Sequence, residues 1–574
     1  MYTGYHLANL LEKQHQQRGT LNLFKKGTFT LQWRSKVGSY PHPDVETMVS
    51  AGEPCGAWYV THGRPEDKRQ LDENLDKMPE LPLNGYIPGS SIRGIVRAWA
   101  MERPSIRQQM LDLLGYQKGN LIQEGKIEFL DAWPETPSKL VLDIVNPQQD
   151  FQIYHDKQGK PISIYTLGDG EDTIPVTVAI RGIPGKASPE DVQTVWEWVQ
   201  QALSIHGVGS RTSAGYGQIK APSGFKVPPQ LRQVEKDSSS KTFDFILYSQ
   251  GCAGADQGKQ DFRPSHWRGW LRSWVLRFLL GVMSKENAHK TLWELMGTIE
   301  PHTHKGCIKI RMIPKLDNWG DRSMNEPYFY VWEGKLQVTA PKEILDKIIL
   351  PIIQFAVSTG GVGRGWRRPL HIFHYRNNNR AATRGSHLIM KLPYRNSEGT
   401  LQTKPFSLRP NPETWNTTYE KWLASVQACW GDRINMNANQ GLKAEVFSPR
   451  TCAVYAVPGP EANPIDENDF EWLETNARET RGEGMHLIYE QTPPRNYKLN
   501  PEIGGSAANA ENSHCSWASI KRINIRSQEI EVDCQEIVCL FMGGKSPQEN
   551  HIRSHFLKDL NTIEGKVHLF GVSP

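Results

Sequence analysis

The chain has 574 residues, of which 38% are hydrophobic and 22% charged, a balance typical of folded domains rather than of disordered chains. Its length predicts three to four domains, and its eight cysteines include no C-x-x-C pair, which favours reduced thiols in a cytoplasmic protein. The sequence has no apolar run of 18 residues and no secretory signal pattern, so we expect no membrane association.

The N-terminal third opens with a helix and a strand, followed by a long polar insertion. Apolar spacing predicts a helix over 5–17, and strict alternation predicts a half-buried strand over 27–34. Residues 35–84 are rich in proline, glycine and charge, and a loop of that length is uncommon inside a compact domain. We therefore expect an inserted arm at this point.

A short helix with two arginines follows the arm. Ser90 or Ser91 is expected to cap it, and its apolar residues recur at helical spacing over 92–99. Arg93 and Arg97 lie one turn apart near the N-terminal end, where free amides and the helix dipole favour anions. These four polar residues are therefore predicted to bind phosphate, the alternative being two solvated arginines on the helix surface.

The next elements complete an α+β pattern. Strands are predicted over 125–133 and 176–181, and the S-P-E-D sequence at 188–191 is a strong helix start. That helix leads into a glycine-rich loop at 206–218 and a last strand at 216–220. The order strand, helix, strand, strand, helix, strand predicts a ferredoxin-like or RNA-recognition-motif-like fold.

The loop reads H-G-V-G-S-R-T-S-A-G-Y-G-Q. Glycines permit positive φ, so that backbone amides can converge on an oxyanion, and arginine and hydroxyl side chains add further donors. An ordinary glycine-rich turn between two elements is the alternative interpretation. The residues predicted to bind RNA here are Gly207, Gly209, Ser210, Arg211, Thr212, Ser213, Gly215 and Tyr216.

The pattern then restarts after a proline- and serine-rich linker at 223–241. H-W-R-G-W-L-R-S-W at 266–274 repeats S-I-R-G-I-V-R-A-W at 91–99, so Arg268 and Arg272 repeat the earlier arginine pair. A second glycine loop, G-G-V-G-R-G-W-R-R-P, follows, and it predicts further RNA contacts at Gly361, Gly363, Arg364, Arg367 and Arg368. A motif order that occurs twice indicates a tandem duplication.

The charge distribution supports this interpretation. Although the net charge is only +5, no acid stands between Asp346 and Glu398, while seven arginines and two lysines do. A solvated basic face is one explanation of such an interval. The excess of arginine over lysine instead favours planar recognition of phosphate.

These motifs resemble the RAMP superfamily of CRISPR-associated proteins in type III RNA-guided effectors. Residues 86–220 resemble the sixth subunit of the Cmr complex, including F-L-D-A-W and D-I-V-N-P, and residues 263–370 resemble its first subunit. The resemblance implies tandem modules that hold guide RNA or guide–target duplex through the backbone. We accordingly expect module one over 1–222, the core of module two over 242–390, and its completion with an accessory domain over 391–574.

The sequence contains no established catalytic motif. The sequence lacks P-loop, G-x-S-x-G and H-E-x-x-H motifs, and His302, His304 and Cys307 lack a second ligand pair, so no metal, cofactor or catalytic residue is predicted. Some RAMP subunits cut RNA with a loop aspartate. The corresponding loop acids here are Asp44, Asp67, Asp72, Asp76, Asp256 and Asp261.

The sequence therefore predicts an RNA-binding structural subunit of a type III CRISPR effector, acting in antiviral defence. Its expected partners are crRNA, target RNA and other effector subunits, with no membrane and no small-molecule substrate. Two alternatives remain: an endoribonuclease acting through a loop aspartate, and a nucleic-acid-binding module outside CRISPR.

Overall fold

The structure of the chain is a computed structural model. The chain forms two compact units. The first comprises Met1–Asn146 and Pro161–Lys236, and the second comprises Pro147–Lys160 and Asp237–Pro574. The residues described are 4–37, 40–41, 48–49, 85–136, 138, 140–145, 150–155, 162–170, 172–225, 238–252, 260–298, 301–315, 317, 319–323, 326–374, 381–439, 441–460, 478–489, 497–505, 515–527, 530–543 and 551–574. Most of the expected arm at 35–84 and of the expected linker therefore lies outside them.

Helices and strands are numbered here in chain order. The helices are α1 (Gly4–Gln17), α2 (Gly89–Met101), α3 (Pro104–Leu114), α4 (Asp150–Tyr154), α5 (Pro189–His206), α6 (Pro264–Leu280), α7 (Lys285–Met296), α8 (Leu350–Thr359), α9 (Pro412–Trp430), α10 (Glu483–Tyr489) and α11 (His551–Leu560). The strands are β1 (Phe24–Leu31), β2 (Tyr40–Pro41), β3 (Met48–Val49), β4 (Tyr116–Lys118), β5 (Leu121–Gln123), β6 (Ile127–Phe129), β7 (Trp133–Pro134), β8 (Leu140–Val145), β9 (Ile162–Leu167), β10 (Ile174–Gly182), β11 (Ile219–Lys220), β12 (Ser238–Ser249), β13 (Lys309–Pro314), β14 (Asp321–Arg322), β15 (Tyr330–Pro341), β16 (His371–His374), β17 (Ala381–Arg384), β18 (Ser386–Arg395), β19 (Leu401–Pro405), β20 (Cys452–Pro458), β21 (Ala518–Ser527), β22 (Ile530–Phe541) and β23 (Val567–Gly571).

The main sheet of the first unit has the strand order β11-β1-β10-β6, and each neighbouring pair is antiparallel. Helix α2 follows β1 and helix α5 follows β10, so the chain runs βαββαβ in the ferredoxin-like order. The register of β1 against β10 runs from Phe24 opposite Arg181 to Leu31 opposite Ile174. The α+β fold expected from the alternating strands and amphipathic helices is confirmed.

The core of this module lies between the sheet and its two helices. Phe29 of β1 and Val178 of β10 are fully buried, as are Val96 of α2 and Val199 of α5. One face of each element is apolar, and burial of these faces is the main stabilising term of the fold.

Of the predicted starts of α5 and α2, the first is confirmed and the second is wrong. The capping box at Ser188 is confirmed, because the Asp191 amide donates to the Ser188 hydroxyl at 3.1 Å and the Ser188 amide donates to the Asp191 carboxylate at 3.0 Å. The serine cap expected for α2 is wrong. That helix begins at Gly89, whose amide donates to the Asp131 carboxylate at 2.8 Å, so an acid from the F-L-D-A-W stretch caps it instead.

The second unit contains a sheet with the same connectivity. Its order is β13-β15-β12-β18-β19, with β14 beside β15, and α6 and α8 stand in the chain where α2 and α5 stand in the first unit. A π-helical turn, Ile344–Ile349, leads directly into α8. The buried side of α6 carries Trp267, Trp270 and Trp274. The strands and helices of this sheet therefore follow the same order as those of the first unit.

A further sheet in the second unit has the order β21-β22-β20-β23, with every neighbouring pair antiparallel. Helix α10 follows β20, and α11 stands between β22 and β23, so residues 452–571 also run βαββαβ in the ferredoxin-like order. The sequence predicted the completion of module two and an accessory domain over 391–574, without a fold for that domain. Among the described residues, no helix is long and apolar enough to cross a membrane.

Candidate functional site

The first glycine loop folds back onto the chain that follows β1. The amides of Val208, Ser210 and Gly217 donate to the carbonyls of Gly217, Lys36 and Arg34, at 2.7, 2.8 and 2.8 Å. The amides of Gly207, Ala214, Gly215 and Tyr216 also donate to backbone carbonyls of the same unit. Seven loop amides thus donate to backbone carbonyls of the protein, which does not support the expected convergence of amides on an oxyanion.

The glycines of this loop are required by close backbone approach. Gly209 has φ +80°, and a Cβ there would lie 2.2 Å from the Lys36 carbonyl oxygen. A Cβ at Gly217, whose φ is +62°, would lie 1.8 Å from the Val208 carbonyl oxygen. Only glycine fits at such positions, so the G-V-G and G-Y-G sequences are explained by packing.

The outward-facing part of the loop is Ser210 to Ser213. Ser210, Arg211 and Ser213 are exposed, and Arg211 has the left-handed φ of +60°. Burial and the positive charge of Arg211 lower the pKa of Lys36. The loop therefore presents a cationic tip, which suits an anionic ligand.

Tyr216 faces inward. Its ring packs edge-on against Trp33 at 4.9 Å, and its hydroxyl donates to the buried Asp143 carboxylate at 2.6 Å. Arg34 pairs with the same carboxylate at 3.4 Å. Because Tyr216 is only 1% exposed, its ring offers no surface to an RNA base. The D-I-V-N-P stretch therefore contributes Asp143 as an internal support of the loop, a role that the sequence did not indicate.

The arginines of the two R-G-x-x-R helices are bound to the end of the next helix. Arg93 and Arg97 of α2 donate to the carbonyls of Leu114 and Gly115, where α3 ends. Terminal carbonyls of a helix lack intrahelical partners, so a guanidinium is a suitable C-terminal cap.

The second unit repeats this arrangement. Arg268 and Arg272 of α6 donate to the carbonyls of Met296 and Gly297, the latter at 3.0 Å, where α7 ends. Arg272 also lies 3.8 Å from Asp150. Burial and the charge of Arg272 lower the pKa of Arg268 to about 10. All four arginines thus hold internal partners; RNA binding by them remains an untested prediction, as it does for Ser90 and Ser91.

The second glycine loop differs in how its arginines are used. Arg364 is exposed, whereas Arg367 is 7% exposed and lies 2.7 Å from the Glu445 carboxylate. Arg368 donates to the carbonyls of Ala518 and Ile503 at 2.6 and 2.9 Å. Arg368 therefore joins this loop to the C-terminal βαββαβ module, and Arg367 joins it to Glu445.

The glycines of this loop are also packed closely. A Cβ at Gly361 would lie 2.2 Å from the Ser386 hydroxyl oxygen. Gly363 has φ +77°, and a Cβ there would lie 3.0 Å from the Cys252 sulfur. As in the first loop, the glycines that sequence analysis assigned to RNA have a packing role.

Glu445 is the centre of a buried ionic cluster that sequence analysis missed. Besides Arg367, it accepts hydrogen bonds from Arg277 at 2.5 and 2.9 Å and pairs with His155 at 3.0 Å. Burial alone would raise the pKa of Glu445, but Arg367, Arg277 and His155 lower it to about 2. His155 also stacks on Trp517 at 3.9 Å. The cluster links α6, the loop and the C-terminal module.

The candidate catalytic acids are mostly outside the described residues, namely Asp44, Asp67, Asp72, Asp76 and Asp256. Asp261 is described, and its carboxylate accepts a hydrogen bond from the buried Arg263 at 2.9 Å. Within the described ranges, no three His, Cys, Asp or Glu side chains are grouped as metal ligands, the His302 to Cys307 stretch included.

Fold and loops together define an α+β protein built from repeated ferredoxin-like modules, two of which carry a glycine loop with an exposed arginine. Residues 84–220, which include α2 to β11, match the model of the RAMP superfamily. The chain therefore carries a RAMP superfamily domain, and the resemblance drawn from its motifs is confirmed over this stretch.

Three solved structures with CRISPR titles are similar to parts of the chain. The Cmr6 structure from Pyrococcus furiosus is 20% identical, covers 35% of this chain and 97% of its own, and has a TM-score of 0.19. A type IV-B CRISPR complex is 13% identical over 35% of this chain and 92% of its own, with a TM-score of 0.23. A CRISPR RNA-guided surveillance complex is 12% identical over 34% and 66%, with a TM-score of 0.21. No curated protein matches the sequence.

Proposed function

We propose that this chain is an RNA-binding structural subunit of a CRISPR effector complex of type III. The observation that carries the proposal is the RAMP superfamily match over 84–220, which falls on a ferredoxin-like module with a cationic loop tip. Its partners would be crRNA, target RNA and other effector subunits.

The two loops support a backbone-binding role. Each presents one exposed arginine within two residues of the second glycine of its G-V-G sequence, Arg211 after Gly209 and Arg364 after Gly363. Arginine donates two parallel hydrogen bonds to a phosphate, and such contacts carry no sequence information. Sequence choice would then come from pairing between guide and target, while the protein reads the backbone.

The experiment is to measure the affinity of the full chain for labelled single-stranded RNAs of unrelated sequence, with Arg211→Glu and Arg364→Glu combined. We expect at least a tenfold loss of affinity, equal for all sequences, and a weaker salt dependence, because fewer counterions are released. The control combines Lys118→Glu and Lys443→Glu, two exposed cations with the same change of charge.

Two results would contradict the proposal. If the unmodified chain bound no RNA, the RNA-binding function would be wrong. If affinity fell for one sequence alone, the arginines would read bases rather than phosphates.

A further inference from the structure

A group of cations surrounds Tyr489 in the second unit. The guanidinium carbon of Arg481 lies 4.3 Å from the centre of the Tyr489 ring, and the Lys498 ammonium lies 5.2 Å from it. Arg384, on β17, is close enough to act on Lys498, and its guanidinium stacks on Phe373 at 3.7 Å. Arg481, Lys498 and Arg384 are each partly exposed.

The tyrosine at the centre is held rigidly. The His371 Nδ1–H donates to the Pro369 carbonyl at 2.8 Å, so its Nε2 accepts the hydrogen bond from the Tyr489 hydroxyl at 3.1 Å. Aromatic rings stabilise cations over their faces, and a ring fixed at its hydroxyl keeps those cations in place. The cations are therefore preorganised, which lowers the entropy lost when a ligand binds.

Among the residues that the structure describes, positive charge accumulates around Lys498. Burial and then three positive charges, those of Arg368, Arg384 and Arg481, lower the pKa of Lys498 to about 8. The Arg481 Nε is buried without a hydrogen-bond partner within the described part of the chain. Half-buried like charges repel one another, so an anion supplied from outside would relieve this repulsion.

We infer that Arg481, Lys498 and Arg384 form a second phosphate-binding site, at the junction of the middle and C-terminal modules, for a phosphodiester of a bound RNA strand. The inference rests on the proposed function for the source of the phosphate. Arginine and lysine donate hydrogen bonds that suit phosphate oxygens. The faces of the Tyr489 ring are covered by Arg481 and Lys498, so the ring is not open to stacking by a base. The site would thus grip the backbone without reading bases.

The test is RNA binding by the full chain carrying Arg481→Gln and Lys498→Gln. We expect about a tenfold or greater loss of affinity, and a slope of log affinity against log salt that is smaller by about 1.4, since each phosphate contact on a single strand contributes about 0.7. The matched control is Arg322→Gln with Lys404→Gln, because each of these exposed cations also lies over a tyrosine, at 3.9 and 5.7 Å.

Lys498→Gln alone, at a partly exposed position, keeps the test valid if the double variant fails to fold. RNA affinity equal to that of the control would overturn the inference while leaving the proposed function in place. A second result would also overturn the inference: the variant binds RNA as tightly as the unmodified chain, but inorganic phosphate no longer stabilises it. That result would assign the site to free phosphate. If the unmodified chain bound no RNA, the proposed function itself would fail.

Discussion

Arg272 donates a hydrogen bond of 3.0 Å to the carbonyl oxygen of Gly297, where helix α7 ends. Arg97 makes the equivalent bond to Gly115, where α3 ends. The R-G-x-x-R helix and the following leucine-glycine or methionine-glycine pair are thus two halves of one contact, present in both units. This contact explains why the two motifs recur together in the sequence.

Replacing Arg97 or Arg272 by alanine should destabilise the unit that contains it. Each change leaves a helix-terminal carbonyl without its charged donor, at a cost of about 1–3 kcal/mol in the free energy of unfolding. The loss should be larger for Arg272, which is 6% exposed and also pairs with Asp150. Hydrogen exchange measured by mass spectrometry should show faster exchange in α3 or α7, respectively.

Arg107→Ala is the control for that experiment, because this arginine of α3 is exposed and donates to the nearby Met101 carbonyl. It should change the free energy of unfolding by less than about 0.5 kcal/mol. Equal exchange in α7 before and after the Arg272 change would contradict the capping role.

Glu445→Gln should destabilise the second unit strongly. The change leaves Arg277 and Arg367 buried without their carboxylate, and breaking a buried ion pair costs about 3–5 kcal/mol. Glu343→Gln removes a pair with Lys347 that is fully exposed and screened by solvent, so the unfolding midpoint should change little. Urea-induced unfolding followed by circular dichroism compares the two, and similar midpoints would show that the cluster contributes little.

Acid should destabilise the second unit in two steps. Burial lowers the pKa of His155 from 6.5, so the unfolded state binds more protons there and stability falls as the pH drops below 6.5. The pKa of Glu445 is about 2 in the folded state against 4.5 ordinarily, so a further loss of about 3 kcal/mol develops between pH 4.5 and pH 2.

The Glu445→Gln variant separates these steps. This variant should not lose stability between pH 4.5 and pH 2 through position 445, because it has no carboxylate there to protonate. Unfolding midpoints measured across pH 2 to 7 check this, and an unchanged lower step in the variant would assign that step to other carboxylates.

Gly209→Ala should destabilise the first unit more than Gly185→Ala. Both glycines have positive φ, +80° and +77°, so each change costs about 1–2 kcal/mol from the backbone conformation. Only at Gly209 would the new Cβ also meet a backbone atom, 2.2 Å away, and such crowding adds about 1–3 kcal/mol. Thermal unfolding of the two variants tests the difference. Equal stabilities would show that the loop can shift to fit the new Cβ without lowering the free energy of unfolding.

Local patterns predicted much of the first two modules. The capping box at Ser188, the alternating strands and the repeated motifs all reflect interactions within a few residues, which sequence periodicity reports directly. The C-terminal module carries no comparable motif. Its fold depends on the pairing of β20 with β22 and β23, which lie far along the chain, and periodicity holds no information on such pairing.

Sequence patterns also could not predict the partners of the arginines at the candidate site. Arg93 and Arg97, and their counterparts Arg268 and Arg272, were expected near helix N-terminal ends, which predicted phosphate binding. Their acceptors lie 18 to 28 residues further on. Arg367 and Arg368 likewise find partners that only the tertiary structure brings near, such as Glu445 and the Ala518 carbonyl. Arg211 and Arg364, which are exposed, are the loop arginines best placed for a ligand.

The most direct test of the central claim is to purify the tagged chain from cells that express its own CRISPR array and neighbouring effector genes, and to sequence the RNA that remains bound. We expect short RNAs of defined length that carry repeat-derived sequence, together with other effector subunits. These RNAs should be lost when Arg211→Glu and Arg364→Glu are combined. Recovery of the chain without RNA, or with RNA unrelated to the array, would contradict the central claim.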